Sequence, residues 1–137
     1  MKTLLGLLLA AALLGAGCAH GPVFGGTEDP PPDKALIYFY RTEAMTGAAM
    51  GYGIKRVETK LGTLRNGSYF HYPADPGVHT FYYEGINGYA KVTVEVLAGE
   101  AYFIRGRLSG FLGSSFKLEL VHPMMGQVEI RECRLSR

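Results

Sequence analysis

The chain has 137 residues, a formal charge of +2 and 47% hydrophobic residues, which together predict one domain with a core of its own. Such a small net charge argues against a strong electrostatic field that would recruit nucleic acid or anionic lipid. It holds two cysteines, Cys18 and Cys133, and their positions bear on export and on disulfide pairing.

The first 18 residues predict export followed by lipid attachment. A small and apolar run from Thr3 to Gly17 follows Met1-Lys2. It is too short to span a bilayer and has the size and flanks of a secretory signal. The ending Leu14–Cys18 resembles a bacterial lipoprotein signal, in which the cysteine becomes the acylated first residue of the mature protein. We therefore expect residues 1–17 to be a signal peptide and Cys18 to carry the lipid.

Two details qualify this interpretation. Gly15 stands where lipoprotein signals most often have leucine, so ordinary cleavage after Ala19 with release of a soluble protein is the alternative. Resemblance to enteric lipoproteins implies the periplasmic face of the outer membrane, since the Asp that retains them in the inner membrane does not follow Cys18. That inference assumes a Gram-negative host. Several acyl chains on one cysteine give a stable membrane anchor.

Residues 18–33 predict the lipid anchor and a linker. Glycine and proline dominate this segment, and Pro30–Pro32 favours a stiff, extended chain. It has too few apolar residues to fold alone, so it predicts a spacer of up to about 50 Å at roughly 3.3 Å per residue.

If Cys18 is acylated, Cys133 has no partner within the chain. We expect a buried thiol there, and the alternative is a disulfide to another protein.

Residues 34–137 predict an all-β domain. The apolar run Ala35–Arg41 is typical of a central strand, while Lys91–Val96, Ala101–Leu108 and Phe116–Leu120 alternate with period two as half-buried strands, with Leu120 facing inward. Asn66-Gly67 predicts a hairpin. Turn signals at short intervals indicate a sandwich or a small barrel, and we expect an antiparallel β-sandwich of roughly seven to eight short strands. Residues 123–133 are either a short helix or a last edge strand.

Five segments occur in the order and spacing of a known family. They are Ala35–Arg41, Leu61–Phe70, Pro76–Phe81, Ala98–Ile104 and Glu132-Cys133. Together they resemble the DUF2846 family, small bacterial proteins of unknown function, many with lipoprotein signals. The resemblance covers roughly residues 34–135 and implies a β-sandwich without known catalytic residues. It also matches Arg41 to a position where the family commonly has arginine, although Thr42 stands where proline often follows.

Two histidines, His71 and His79, flank the turn at residues 73–77. If the strands on either side pair, the imidazoles lie opposite each other and could share a metal or sense pH. A structural zinc needs four ligands, and no third or fourth stands at a suitable spacing. We therefore predict no metal and no cofactor. One histidine should pack beside Phe81 at the sheet margin, and the other should be exposed.

The uncharged, glycine-rich loop at residues 44–53 is a candidate for binding another molecule. It contains Met45, Met50 and Tyr52, and methionines on a flexible segment suit adaptable apolar contacts. A partner groove or the membrane surface would be its targets. Alternatively, the loop simply folds back over an open end of the sandwich. The loop at residues 111–115 has a similar composition and is expected near it.

Three arginines form the second candidate group. Arg105 and Arg107 share a predicted strand face with Phe103, and Arg41 ends the first strand. A basic face with an aromatic ring could meet lipid headgroups or an acidic glycan. The alternative is a solvated face with weak salt bridges.

Catalytic motifs are absent from the sequence. It contains no Gly-x-Ser-x-Gly elbow, phosphate-binding loop or Cys-x-x-Cys pair. We therefore expect a non-catalytic binding or interaction module of the cell envelope, with envelope proteins as partners and no nucleic acid. The alternatives are a carrier of a small apolar ligand, held between the sheets of the sandwich or under the loop at residues 44–53, and an enzyme with an unrecognised site.

Overall fold

A computed structural model describes residues 21–136, and the predicted signal peptide and the predicted lipid attachment at Cys18 lie outside the described residues. Most of the described chain is extended. Its elements in order are β1 (Ala35–Arg41), β2 (Tyr52–Arg56), β3 (Thr59–Leu64), β4 (Ser68–Ala74), β5 (Gly77–Gly85), β6 (Gly88–Val96), β7 (Ala101–Ser109), β8 (Ser115–Val121), α1 (Pro123–Glu129) and β9 (Arg134–Leu135), with 3-10 turns at Phe111–Gly113 and Ile130–Glu132.

The strands form two sheets in a sandwich-like arrangement, which confirms the β-rich fold class. The five-stranded sheet has the order β8-β7-β1-β4-β9, and the four-stranded sheet has the order β3-β2-β5-β6. The prediction of a purely antiparallel sandwich is wrong, because β1 pairs in parallel with β7 and β4 pairs in parallel with β9. Parallel neighbours require long crossover connections. Here the chain leaves the five-stranded sheet after β1 and returns through the four-stranded sheet.

The Asn66-Gly67 turn forms, but the predicted hairpin does not. Gly67 has φ of 65°, yet β3 pairs with β2 and β4 pairs with β1. The turn therefore joins the two sheets. Ser68 stabilises it, because its Oγ accepts from the Arg65 N–H at 2.8 Å and donates to the Arg65 carbonyl at 3.0 Å. The turn at Asp75-Pro76 also changes sheets.

Strand β1 is buried along its whole length and contributes to two cores, as its apolar sequence predicted. Ile37 and Phe39 pack between the sheets, whereas Tyr38 and Tyr40 face the opposite side, under α1 and the N-terminal segment. Both cores are rich in aromatic rings. Leu120, predicted to face inward, is instead half exposed on the edge strand β8.

The ambiguous tail contains a helix and then a short edge strand. Helix α1 begins at Pro123, and the N–H of Met124 donates to Nδ1 of His122 at 3.3 Å, which satisfies one free donor at the helix start. Gly126 is buried against Phe103, where a Cβ atom would overlap the Phe103 side chain. This close approach seats α1 on β7. None of the helices in residues 21–136 is long and apolar enough to cross a membrane.

The beginning of the described chain packs onto the domain, which the spacer prediction did not anticipate. The carbonyl of Pro22 accepts from Leu135 N–H, and the N–H of Phe24 donates to the Cys133 carbonyl, both at 2.9 Å. The ring of Phe24 lies edge-on to Tyr38 and to Tyr69, at 5.6 and 5.3 Å between centroids. Residues 21–24 therefore belong to the folded body.

Cys133 is fully buried, as expected for a thiol without a partner. Its Sγ donates to the Arg41 carbonyl at 3.5 Å. Burial raises the pKa of this thiol to about 12, so it remains protonated and unreactive at neutral pH. The position does not favour a disulfide to another protein.

Candidate functional site

The site forms at the end of the sandwich where β1 finishes. Three loops meet there, at residues 42–51, 86–87 and 110–114, and we call this region the loop end. Its centre is Arg41, which is only 2% exposed. Nη1 of Arg41 donates to the Met50 carbonyl at 2.8 Å, and Nη2 donates to the Gly47 carbonyl at 2.7 Å. The loop at 42–51 thus folds back around a buried cation.

Arg41 has no acidic counter-charge. No ion pair of Arg41 with a carboxylate is present among residues 21–136. Two carbonyls and the ring of Tyr52, whose centroid is 5.0 Å from the guanidinium carbon, compensate for its charge in part. Burial lowers the pKa of Arg41, as expected for a cation removed from water. An arginine remains protonated nonetheless.

A cavity of about 350 Å³ opens beside Arg41, between the loop at 42–51 and the end of β7. Asn87 connects the loops near this cavity, because it donates to the Gly113 carbonyl at 3.3 Å and accepts from the Tyr52 hydroxyl at 3.1 Å. The predicted proximity of the two glycine-rich loops is therefore confirmed. Residues that line the cavity include Arg41, Thr42, Thr46, Arg107, Leu108 and Leu112.

Exposed apolar side chains project from each of the three loops. They are 82–96% exposed, and we call them the apolar rim: Met45, Ile86, Phe111 and Leu112. Leu112 has a positive φ of 51°, a conformation that is uncommon for residues other than glycine. The rim was predicted at Met45 only, because isolated apolar residues in turns have no periodic pattern.

The other predicted binding residues have different environments. Met50 is partly exposed, and its backbone carbonyl accepts the hydrogen bond from Arg41. Tyr52 is the first residue of β2 and is fully buried; its ring stacks on Phe116 with 4.1 Å between centroids. Tyr52 therefore lies in a buried strand and not on a flexible loop, and its role in binding stays a prediction. Its ring packs in the core and contacts the guanidinium of Arg41.

Arg105 and Arg107 are held in an ion network and do not form a free basic face. Arg105 contacts Glu119 at 2.9 Å and Glu129 at 2.8 Å, and Arg107 contacts Glu119 at 2.7 Å. The Tyr40 hydroxyl donates to Glu129 at 2.7 Å. Burial is the main cause that raises the pKa of Tyr40, and the hydrogen bond to Glu129 raises it further. The network fixes α1 to the outer face of the sheet and supports the alternative of a solvated face with salt bridges.

Acid titration should reveal the role of Glu119. Its hydrogen bond from Arg107 holds its pKa at about 2, against an ordinary value of 4.5. Since the folded-state pKa is depressed, the ionised carboxylate stabilises the fold above pH 4.5, and this contribution disappears as the pH falls towards about 2. We expect Glu119→Gln to lower the urea midpoint at pH 7, with a difference that shrinks across that acid range.

The matched control for that measurement is Glu95→Gln. Glu95 is exposed and takes part in no ion pair within the described chain. Its variant should unfold like the parent at every pH. A Glu119→Gln difference that persists unchanged at pH 2 would contradict the assigned role.

The two histidines lie in different sheets, so they are not opposed. His79 accepts from Arg56 Nε at 3.0 Å, donates to the Asp75 carbonyl at 2.6 Å and stacks beside Phe81. His71 is exposed and contacts the edge of Tyr38. The packing prediction is confirmed for both. No group of three potential metal-ligating side chains occurs in residues 21–136.

Comparison with known proteins identifies the family. A search of curated proteins finds no significant match. A family model described as protein of unknown function (DUF2846) matches residues 31–113. This range contains β1 to β7, Arg41 and nearly all of the loop end, and it stops before β8 and α1. The matched range is therefore shorter than residues 34–135, over which the sequence resembles the family. Since the match covers more than half of the chain, the protein belongs to the DUF2846 family.

Proposed function

We propose that this protein is a lipid-anchored, non-catalytic binding module of the bacterial cell envelope, and that it contacts a protein partner through its loop end. Cys18 would carry the lipid, on the periplasmic face of the outer membrane. The observation that carries the proposal is the apolar rim, with four strongly exposed side chains on the three loops of the loop end, where a cavity is lined in part by a buried cation.

The chemistry of the rim suits a protein interface. Methionine and phenylalanine are enriched where proteins meet, and hot spots lie where such side chains are fully desolvated. An apolar cluster on a monomeric surface commonly marks an interaction site. The loops are held in place by Arg41 and Asn87, so little ordering would be required when a partner binds.

The tether limits where that partner is found. Two residues, Ala19 and His20, separate Cys18 from the docked Gly21, so the three residue-to-residue steps between them reach about 10 Å at roughly 3.3 Å per step. With lipid on Cys18, the domain would lie against the membrane surface. The expected partner is therefore a membrane-associated envelope protein.

A carrier that holds an apolar ligand between the sheets is less well supported than an interaction module. The space between the sheets is filled by the rings of Phe39, Tyr52, Phe81 and Phe116, all fully buried. A ligand placed between the sheets would have to displace close-packed side chains.

Site-specific photo-crosslinking in intact cells tests the binding surface. A photoreactive residue in place of Phe111 should link to one envelope protein, and the same residue in place of Leu97 should not. Leu97 is a suitable control because it is also an exposed apolar residue, but it lies at the opposite end of the sandwich, in the turn after β6. Equal labelling from both positions, or none from position 111, would refute the proposed surface.

The anchor is tested separately by intact mass and membrane fractionation of the parent beside Cys18→Ser. We expect the parent to carry acyl mass and to sediment with membranes, and the variant to lack the acyl mass. If both proteins are soluble and equally processed, the anchor is excluded while the crosslinking result still stands.

A further inference from the structure

We propose that the cavity at the loop end binds a carboxylate group, with Arg41 as its counter-ion. This inference rests on the proposed binding function and adds the chemical class of what the site accepts. It is argued from charge, from hydrogen-bond donors and from the size and lining of the cavity.

The charges around the cavity leave one cation uncompensated. Arg105 and Arg107 are balanced by Glu119 and Glu129, so this network is neutral in sum. Arg41 is buried, and its hydrogen bonds go to neutral carbonyl groups. A buried charge is costly unless it is paired, and an anion in the adjacent cavity would supply the missing partner.

Donors are available for such an anion. An arginine has five N–H donors, and two nitrogens of Arg41 make the carbonyl contacts described above. Its Nε–H donates to no group found in the described part of the chain. Thr42, Thr46 and Ser109 add hydroxyl groups to the lining. A guanidinium with adjacent hydroxyls is well suited to a planar carboxylate.

The cavity also favours a small, singly charged ligand with an apolar body. Its volume of about 350 Å³ is at the lower end of ligand sites. Leu108 and Leu112 line it, and Leu112 also belongs to the apolar rim. One uncompensated cation matches one carboxylate, whereas a phosphate group with up to two negative charges would bring an unpaired charge. The carboxylate comes either from a free organic acid or from a chain terminus of the protein partner.

Calorimetric titration of the purified full-length protein in detergent micelles tests the ligand class. The probes are N-acetyl-leucine, its uncharged amide, and inorganic phosphate. We expect the acid to bind at least about tenfold more tightly than the amide or phosphate, a difference of about 1.4 kcal/mol. Equal binding of acid and amide, or tighter binding of phosphate, would overturn the assignment.

Two variants locate the binding in the cavity. Ser109→Leu adds bulk to the lining without changing Arg41, and it should weaken binding of N-acetyl-leucine at least about tenfold. Thr59→Leu is the matched control, because Thr59 is exposed at the far end of β2 and β3, and it should bind like the parent. Arg41→Met should abolish binding. Unchanged affinity in Ser109→Leu would contradict the proposed site even if Arg41→Met fails to fold.

A second pair of probes separates the two sources of the carboxylate. Short peptides that end in leucine are compared with a free and with an amidated C-terminus. Preference for the free-acid peptide over N-acetyl-leucine indicates a chain terminus, and the reverse preference indicates a free organic acid. If residue 111 crosslinks to a protein but no acid binds, the carboxylate inference fails and the interaction module stands. If acid binds without a crosslink, only the protein-partner proposal fails.

Discussion

Arg41→Met is expected to lower the free energy of unfolding by about 3 kcal/mol and to release the loop at residues 42–51. The guanidinium binds two carbonyls of that loop and is 2% exposed. Methionine fills much of the same volume but donates no hydrogen bond, so the carbonyls of Gly47 and Met50 lose their partner. Urea unfolding measures the stability, and amide hydrogen exchange of residues 42–51 measures the release.

The control for this experiment is Lys117→Met, which removes the same charge from an exposed position on β8. Its stability should remain within about 0.5 kcal/mol of the parent. A loss of less than about 1 kcal/mol in Arg41→Met, with unchanged exchange in the loop, would mean that Arg41 does not organise the loop end.

Gly126→Ala should destabilise the protein by about 2 kcal/mol, although alanine favours helices over glycine by about 1 kcal/mol. The reason is steric, because a Cβ at this position would overlap Cβ and Cγ of Phe103. These atoms are close to the β7 backbone and cannot move aside cheaply. Helix α1 would have to shift outward and strain the contacts of Glu129 with Tyr40 and Arg105.

Thermal or urea unfolding measures the effect of Gly126→Ala. Gln127→Ala, one position along on the exposed side of α1, should be neutral or slightly stabilising. Because helix propensity and packing predict opposite signs, a gain in stability for Gly126→Ala would show that α1 is not seated against Phe103.

Local sequence patterns predicted individual strands well and their partners poorly. Ala35–Arg41 is apolar on both faces, and the structure buries both. Asn66-Gly67 is a reliable signal for a turn, but a turn signal contains no information about the sheet that the next strand joins. Strand β4 pairs with β1 over seven residues, and this long pairing outweighs a local hairpin. The parallel pairing of β1 with β7 has no local signal.

The candidate site was predictable where one residue type was unusual in its context. Arg41 ends an otherwise apolar strand, and Met45 lies in an uncharged loop, so both were identified. The ion pairs of Arg105 were not foreseen, since its partners are 14 and 24 residues away in sequence and only the fold brings them together. Phe24 was overlooked because glycine and proline dominate its surroundings, although a single aromatic residue there was the available signal.

The docking of the N-terminal segment protects an edge of the five-stranded sheet. Within residues 21–136, strand β9 has only β4 as a sheet neighbour, and the hydrogen bonds of Pro22 and Phe24 with Leu135 and Cys133 occupy its other side. An open strand edge is a template for pairing with another chain. If many copies are confined to one membrane plane, this coverage prevents edge-to-edge aggregation, and detachment of Phe24 would expose the protein to it.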